Sequence, residues 1–248
     1  MSSVNTTPDT SSEQAESVAS ESSQPQLRPV RSYVIRSGRL TPSQAHALHH
    51  FWRHYGLELD EGMLDPVKTF GREAPLVMEI GFGMGDSLLQ MALANPDRDF
   101  IGVEVHRPGV GRLLHEIAAH DLSNLRVYCH DAKDILQHCI PDGTLDTLQI
   151  FFPDPWHKKR HNKRRLIQLE FMEQVRPKLK LGGRVHMATD WVPYAEHMMS
   201  VMSAAPGYRN AVEPGQYSPS GERPITKFEK RGERLGHVVN DLVFLRTE

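Results

Sequence analysis

Within a chain of 248 residues, the types and spacing best suited to chemistry fall between positions 151 and 165, reading Phe151-Phe152-Pro153-Asp154-Pro155-Trp156-His157-Lys158-Lys159-Arg160-His161-Asn162-Lys163-Arg164-Arg165. The apolar run Leu148–Phe152 has the character of a buried strand end. Pro153 and Pro155 stop it, because neither ring nitrogen can donate to a sheet ladder. A carboxylate, Asp154, lies between the prolines and an aromatic, Trp156, follows them. A carboxylate and an aromatic at a strand's carboxyl end are parts of a site that holds a planar base. Six Lys or Arg residues in the next nine positions (Lys158, Lys159, Arg160, Lys163, Arg164 and Arg165) are what holds phosphates. No interleaved acid balances them, so an ordinary solvated helix start is the weaker reading.

A second set of candidates precedes this one. Gly81, Gly83 and Gly85 form a G-x-G-x-G turn after the apolar stretch 75–80, where a backbone without Cβ atoms can approach a ligand closely. The place of the third glycine in a dinucleotide fingerprint is taken by Asp86, which weakens a nicotinamide reading. Glu104, 23 residues beyond Gly81 and at the end of a second strand, is placed to accept two ribose hydroxyls. Asp131, after a third strand, can accept from an adenine amino group, and Glu79 can face a cationic end of the same ligand. The plainer alternative makes Glu79 and Asp131 helix caps or solvated loop acids. An adenine, a ribose diol and a sulfonium cation together describe S-adenosyl-L-methionine.

The elements that must position these groups alternate along the chain. Strands are expected at 75–80, 100–105, 125–129, 145–152 and 184–188. Helices are expected at 86–94, 109–120, 163–179 and after Trp191, and a Pro/Gly-rich loop at 206–224. Such alternation predicts an α/β fold with a parallel sheet covered on both faces, closed by 238–245 as a last, antiparallel strand. Thr41 or Ser43 can cap a helix running from Pro42 to about Tyr55. His46, His50 and His54 recur along it, but without a carboxylate or Cys beside them no metal site is expected.

Composition narrows the classes. Cys129 and Cys139 are too few for a disulfide framework and match no zinc spacing, which suits a reducing cytoplasm. No 18-residue apolar run and no signal-like N-terminus are present, so neither membrane nor export is expected. The formal charge of −2 is misleading as an average. Residues 1–24 hold Asp9, Glu13, Glu16 and Glu21 and no Lys or Arg, and the remainder has 29 basic against 27 acidic residues. Local clustering, rather than net charge, steers a polyanion. The division expected is a Ser/Thr-rich disordered tail (1–26), a basic N-terminal extension with a helix (27–74) and a main domain (75–248).

At this point the chain closely resembles the bacterial tRNA (guanine-N7-)-methyltransferase family. The resemblance rests on Glu79 to Gly85, on Phe152 to Lys159, on Ala188-Thr189-Asp190-Trp191, on Thr226-Lys227-Phe228-Glu229 with Arg231-Gly232, and on the basic start from Arg31-Ser32-Tyr33 to Thr41. It covers the chain from about residue 28 onward. It implies a Rossmann-like class I methyltransferase with a mostly parallel seven-stranded sheet and a last antiparallel strand. It also implies S-adenosyl-L-methionine contacts from Glu79, Gly81, Gly83, Gly85, Glu104, Asp131 and Asp154, with Asp154 catalytic. Lys158, Asp190, Thr226, Lys227, Phe228 and Glu229 are implied as substrate-binding, and Arg160, His161, Asn162, Lys163, Arg164 and Arg165 as RNA-contacting. The expected substrate is a guanine in the tRNA variable loop. No obligate protein partner is expected, and a monomer is favoured over a homodimer. Two other readings stay open from the residues themselves. One is a methyltransferase acting on an exocyclic amino group of adenine or cytosine. The other is a non-catalytic RNA-binding protein on a methyltransferase-like fold.

Overall fold

The computed structural model describes residues 31–34, 38–221, 223–224, 229 and 238–248. Five parallel strands form the heart of the sheet: β2 (Leu76–Ile80), β3 (Asp99–Val103), β4 (Leu125–Tyr128), β5 (Leu145–Phe151) and β6 (Leu179–Thr189). The two-residue β1 (Gly56–Leu57) extends one edge beside β4. On the other side β8 (Asn240–Arg246) pairs antiparallel with β6, and β7 (Tyr208–Asn210) pairs with β8. The order is β1-β4-β3-β2-β5-β6-β8-β7, eight strands among the described residues rather than seven. The surplus is the short β1, which has no apolar alternation of its own to announce it and is recruited by the free edge of β4.

The strands are buried on both sides, as a near-continuous apolar run such as Leu76-Val77-Met78 requires. One face packs Val77, Phe100 and Val127 against α1 (Pro42–His50), α4 (Asp86–Ala94) and α5 (Arg107–Ala119). The opposite face packs Met78, Ile101 and Leu148 against α6 (Ala132–His138), α7 (Leu169–Val175) and α8 (Val192–Ala204). Two short helices complete the set, α2 (Trp52–Tyr55) and α3 (Pro66–Phe70). Thr41 caps α1 reciprocally: its Oγ1 accepts from the Gln44 amide at 3.2 Å, while its own amide donates to Gln44 Oε1 at 2.9 Å. The helix ends at His50 rather than Tyr55: Phe51 caps it, donating its amide to the Ala47 carbonyl at φ −100°, and α2 starts at the next residue.

One expected helix is broken into pieces. Instead of a continuous run over 163–179, Lys159–Arg164 forms a 3-10 turn, residues 165–168 are neither helix nor strand, and α7 covers only Leu169–Val175. Pro177 ends it in a second 3-10 turn, lacking the amide that would continue the ladder. β6 correspondingly starts at Leu179, five residues earlier than expected, with a register irregularity opposite Leu145 and Thr147. No helix among the described residues is long and apolar enough to cross a membrane.

Candidate active site

The strand order reverses beside β2: β3 and β4 continue to one side, β5 and β6 to the other. Such a switch point opens a crevice at the carboxyl ends of the strands. Register makes the crevice level, since Ile80 pairs with both Val103 and Ile150. Gly81, Glu104 and Phe151-Phe152 therefore emerge side by side. A cleft of about 200 Å³ lies there, lined among others by Gly81, Glu104, Asp131, Phe152 and Asp154.

Each acid is held by its own device. Glu104 is fixed by three backbone amides: Gly83 donates to Oε2 at 2.8 Å, and Val105 and His106 donate to Oε1 at 2.7 and 2.9 Å. Asp131 caps α6, accepting from the Lys133 amide at 3.0 Å. The capping alternative is thus real for Asp131, and it coexists with a place in the cleft lining. The glycine turn runs through positive φ at Gly81, Gly83 and Gly85 (75°, 60° and 81°), a region only glycine enters without cost.

Gly109, at the start of α5, was passed over as a plain helix residue. A Cβ there would lie 1.8 Å from the Gly83 carbonyl oxygen. Helix α5 thus packs backbone to backbone against the glycine turn. Gly109→Ala is expected to push that turn outward and weaken S-adenosylmethionine binding at least about tenfold, measured by calorimetry, with the fold retained by circular dichroism.

Glu79 is buried, 3% exposed, and its Oε2 has no hydrogen-bond partner. Burial first, and the nearby Glu104 charge second, push its carboxyl up to about 8. A buried carboxylate without a partner is a group waiting for a cation. The ligand-free protein thus holds Glu79 protonated between pH about 4.5 and about 8, where the unfolded chain releases that proton. The folded state binds more protons in this window, so stability falls as pH rises through it. The ligand-free Glu79→Gln variant is expected to show a flatter melting-temperature profile across this window and to bind S-adenosylmethionine about tenfold more weakly. Parallel profiles for the two proteins would refute the assignment.

The Asp154 loop is backbone-strained on both sides: Phe152 and Trp156 have φ of 51° and 48°, uncommon for bulky residues and typical of functional loops. The loop is anchored by Phe152 donating its amide to the Ala188 carbonyl at 2.8 Å. Asp154 itself is exposed at the cleft. Trp156 is only partly available: its Nε1 donates to the Ser32 carbonyl at 3.0 Å, and the Arg164 guanidinium sits 3.8 Å from the ring centroid. Arg164 also donates to the carbonyls of Arg31 and Tyr33. The N-terminal stretch 31–34 is thereby drawn across the site, and Ser32 and Tyr33 join the cleft lining. These two were missed as site residues. Their only sequence signal was membership in the basic start.

The cationic run divides. Lys158, Lys159, Arg160 and Lys163 are exposed, while His161, Asn162 and Arg164 are half-buried. Arg165 is turned inward, 6% exposed, donating to the Pro155 and Pro193 carbonyls and stacking on Tyr194 at 4.8 Å. Asp190 follows β6 at the same end of the sheet, next to Trp191, whose ring meets His157 edge-on at 4.5 Å. Glu229 is buried and paired with Arg223. Thr226, Lys227 and Phe228 lie outside the described residues. On α1, His46 and His50 stack at 4.1 Å, and His54 accepts from Arg53 Nε.

A switch-point cleft with a glycine turn and three strand-end acids defines a class I methyltransferase, and the comparisons agree. Residues 73–242 match the family model described as a putative methyltransferase. The fold is shared with the 16S rRNA methyltransferase KamB (TM-score 0.55, 17% identity, covering 73% of this chain and 92% of that one). The aminoglycoside resistance methyltransferase NpmB1 is similar to the same degree (TM-score 0.54, 17% identity, 77% and 94% covered). More specific is the likeness to curated tRNA (guanine-N(7)-)-methyltransferases. That of Saccharophagus degradans is 59% identical over 88% of this chain and 96% of its own. That of Pseudomonas aeruginosa PAO1 is 59% identical over 90% and 91%. The chain belongs to the tRNA (guanine-N(7)-)-methyltransferase family.

Proposed function

We propose that this chain transfers a methyl group from S-adenosyl-L-methionine to N7 of a guanine in the variable loop of tRNA. One observation carries the reading beyond family membership: Asp154 opens into the cleft between the strand-end acids and is followed at once by a row of exposed cations. The residues present fit the cofactor. The partnerless Glu79 suits a cation, Glu104 held by three amides suits a ribose diol, and Asp131 suits an adenine amino group. S-adenosylmethionine supplies an electrophilic methyl group when bound.

The residues do the rest. Guanine N7 has a free lone pair, so no protein base is needed to deprotonate it. Asp154 orients the base and offsets the positive charge that develops on it, and accepting from the guanine N1–H and amino group makes N7 more electron-rich. Lys158, Lys159, Arg160 and Lys163 hold phosphates and fix the register of the RNA, with little say over which base is chosen. Trp156 acts as a bracket between Arg164 and the 31–34 stretch. Asp190 and Glu229, with Thr226 to Phe228, complete the substrate side. The main domain spans 75–248, preceded by the basic extension 27–74 and the tail 1–26. The enzyme works as a cytoplasmic monomer without an obligate partner. Nucleoside analysis of tRNA methylated in vitro tests the reading. N7-methylguanosine, lost when the variable-loop guanine is replaced, supports it, and label on another base defeats it.

A further inference from the structure

A buried ionic cluster lies beside the cleft, on the side away from the cofactor acids. Arg223, its side chain 2% exposed, forks onto two carboxylates. Toward Asp241, Nε donates to Oδ1 at 2.9 Å and Nη2 to Oδ2 at 3.1 Å. Toward Glu229, Nη1 donates to Oε2 at 2.5 Å and Nη2 to Oε1 at 3.1 Å. Asp241 is pinned from a second direction by His186 Nε2 at 2.8 Å, and its partner across the β6–β8 ladder is Ala188. Ala188 pairs in turn with Phe151 and accepts the Phe152 amide. The guanidinium also faces the Phe151 and Phe152 rings, 5.6 and 5.3 Å from their centroids. The same side chain thus touches Glu229, the last strand and the two residues from which the Asp154 loop departs.

Burying one cation between two carboxylates is a poor way to gain stability, since well-packed apolar residues of similar volume often do as well. What a doubly bidentate fork does supply is fixed geometry. From this arrangement we infer that Arg223 is a positioning residue for methyl transfer: it fixes Glu229 and, through Phe151 and Phe152, sets the backbone that presents Asp154. The inference rests on the methyl-transfer reading. Glu229 therefore has its place on the substrate side fixed by the Arg223 clamp. Arg223 bonds none of Glu79, Glu104 and Asp131, so its loss leaves these three cofactor acids in place and changes cofactor affinity little.

A double-mutant cycle tests this on the full chain, with Arg223→Lys, Glu229→Gln and the double variant. Arg223→Lys keeps the charge and loses the fork. Glu229→Gln leaves the Arg223–Asp241 pair intact, so a folded variant is available even if the first proves unstable. For each protein, kcat and KM for tRNA, the dissociation constant for S-adenosylmethionine and the melting temperature are measured. Each single variant is expected to lower kcat about 30-fold, with the S-adenosylmethionine constant within about threefold of the parent. The double variant is expected to be no worse than about twice the poorer single one, as members of one unit are. Losses that multiply, a Arg223→Lys variant with parental turnover, or activity losses that merely track a fallen melting temperature and lost cofactor binding would each overturn the clamp. If the parent protein yields no N7-methylguanosine, the functional reading fails separately. The same cycle read on tRNA affinity then judges the clamp: equal, non-multiplying losses keep it, and independent losses remove it.

Discussion

Asp154→Ala is expected to lower kcat by about 10³-fold while changing the dissociation constant for S-adenosylmethionine by less than about tenfold. The carboxylate opens into the cleft from a loop whose flanking residues, Phe152 and Trp156, hold positive φ, and strain of this kind persists only where surrounding contacts enforce it. Those contacts are present. The Phe152 amide is tied to Ala188, and the Trp156 ring is tied to Ser32 and covered by Arg164. A carboxylate carried on a backbone held so firmly contributes by being in place before the base arrives, which is where preorganised charge acts most strongly. Asp154→Asn separates the two parts of its role. The amide retains the shape and one acceptor but loses the charge, and a fall of about 10²-fold in kcat is expected. Near-parental turnover in Asp154→Asn, measured at saturating tRNA and cofactor, would eliminate the electrostatic role and leave orientation alone.

The second large effect concerns the RNA. With Lys158, Lys159, Arg160 and Lys163 exposed in a row, tRNA affinity is expected to fall roughly 10²-fold between about 50 and 200 mM salt, the release expected for about four phosphate contacts. Neutralising all four to Gln is expected to flatten this dependence and to raise KM for tRNA by a similar factor at low salt, with the identity of the methylated base unchanged. Arg165 sets the control. Its guanidinium is spent on two carbonyls and the Tyr194 ring, so Arg165→Gln should leave the salt slope intact and lower the melting temperature instead. A salt slope that drops by one unit in Arg165→Gln, measured by filter binding, would return that residue to the RNA interface.

The contrast between Arg165 and its neighbours shows where sequence reasoning stops. All six cations look alike in a run. The burial of Arg165 is decided by Pro193 and Tyr194, 28 and 29 residues further on, and no local pattern reports that contact. The same holds for Arg223, whose partner Asp241 lies on β8 and is held in turn by His186 on β6, two strands that only the finished sheet brings together. By contrast, the glycine turn, Glu104 and Asp131 could be placed from sequence, because each sits directly after an apolar strand and strand ends point one way in a parallel sheet. Pattern failed again over 163–179. There the helical composition is cut by the non-helical stretch 165–168, held by the Ile167 amide donating to the Tyr194 hydroxyl at 3.3 Å, and then by Pro177. The two-residue β1 and the three-residue β7 were missed because strands so short have no periodicity to read. Gly109 belongs to a third kind. Its glycine was visible, but the need for it arises only from the Gly83 carbonyl packed against it.

The most direct measurement is methyl transfer from labelled S-adenosylmethionine to unmodified tRNA, with the product digested to nucleosides and each identified by mass. The account predicts N7-methylguanosine as the labelled product from the parent protein, absent when the variable-loop guanine is replaced and nearly absent with Asp154→Ala. Label on the amino group of adenine or cytosine, or tight tRNA binding with no transfer at all, would contradict it.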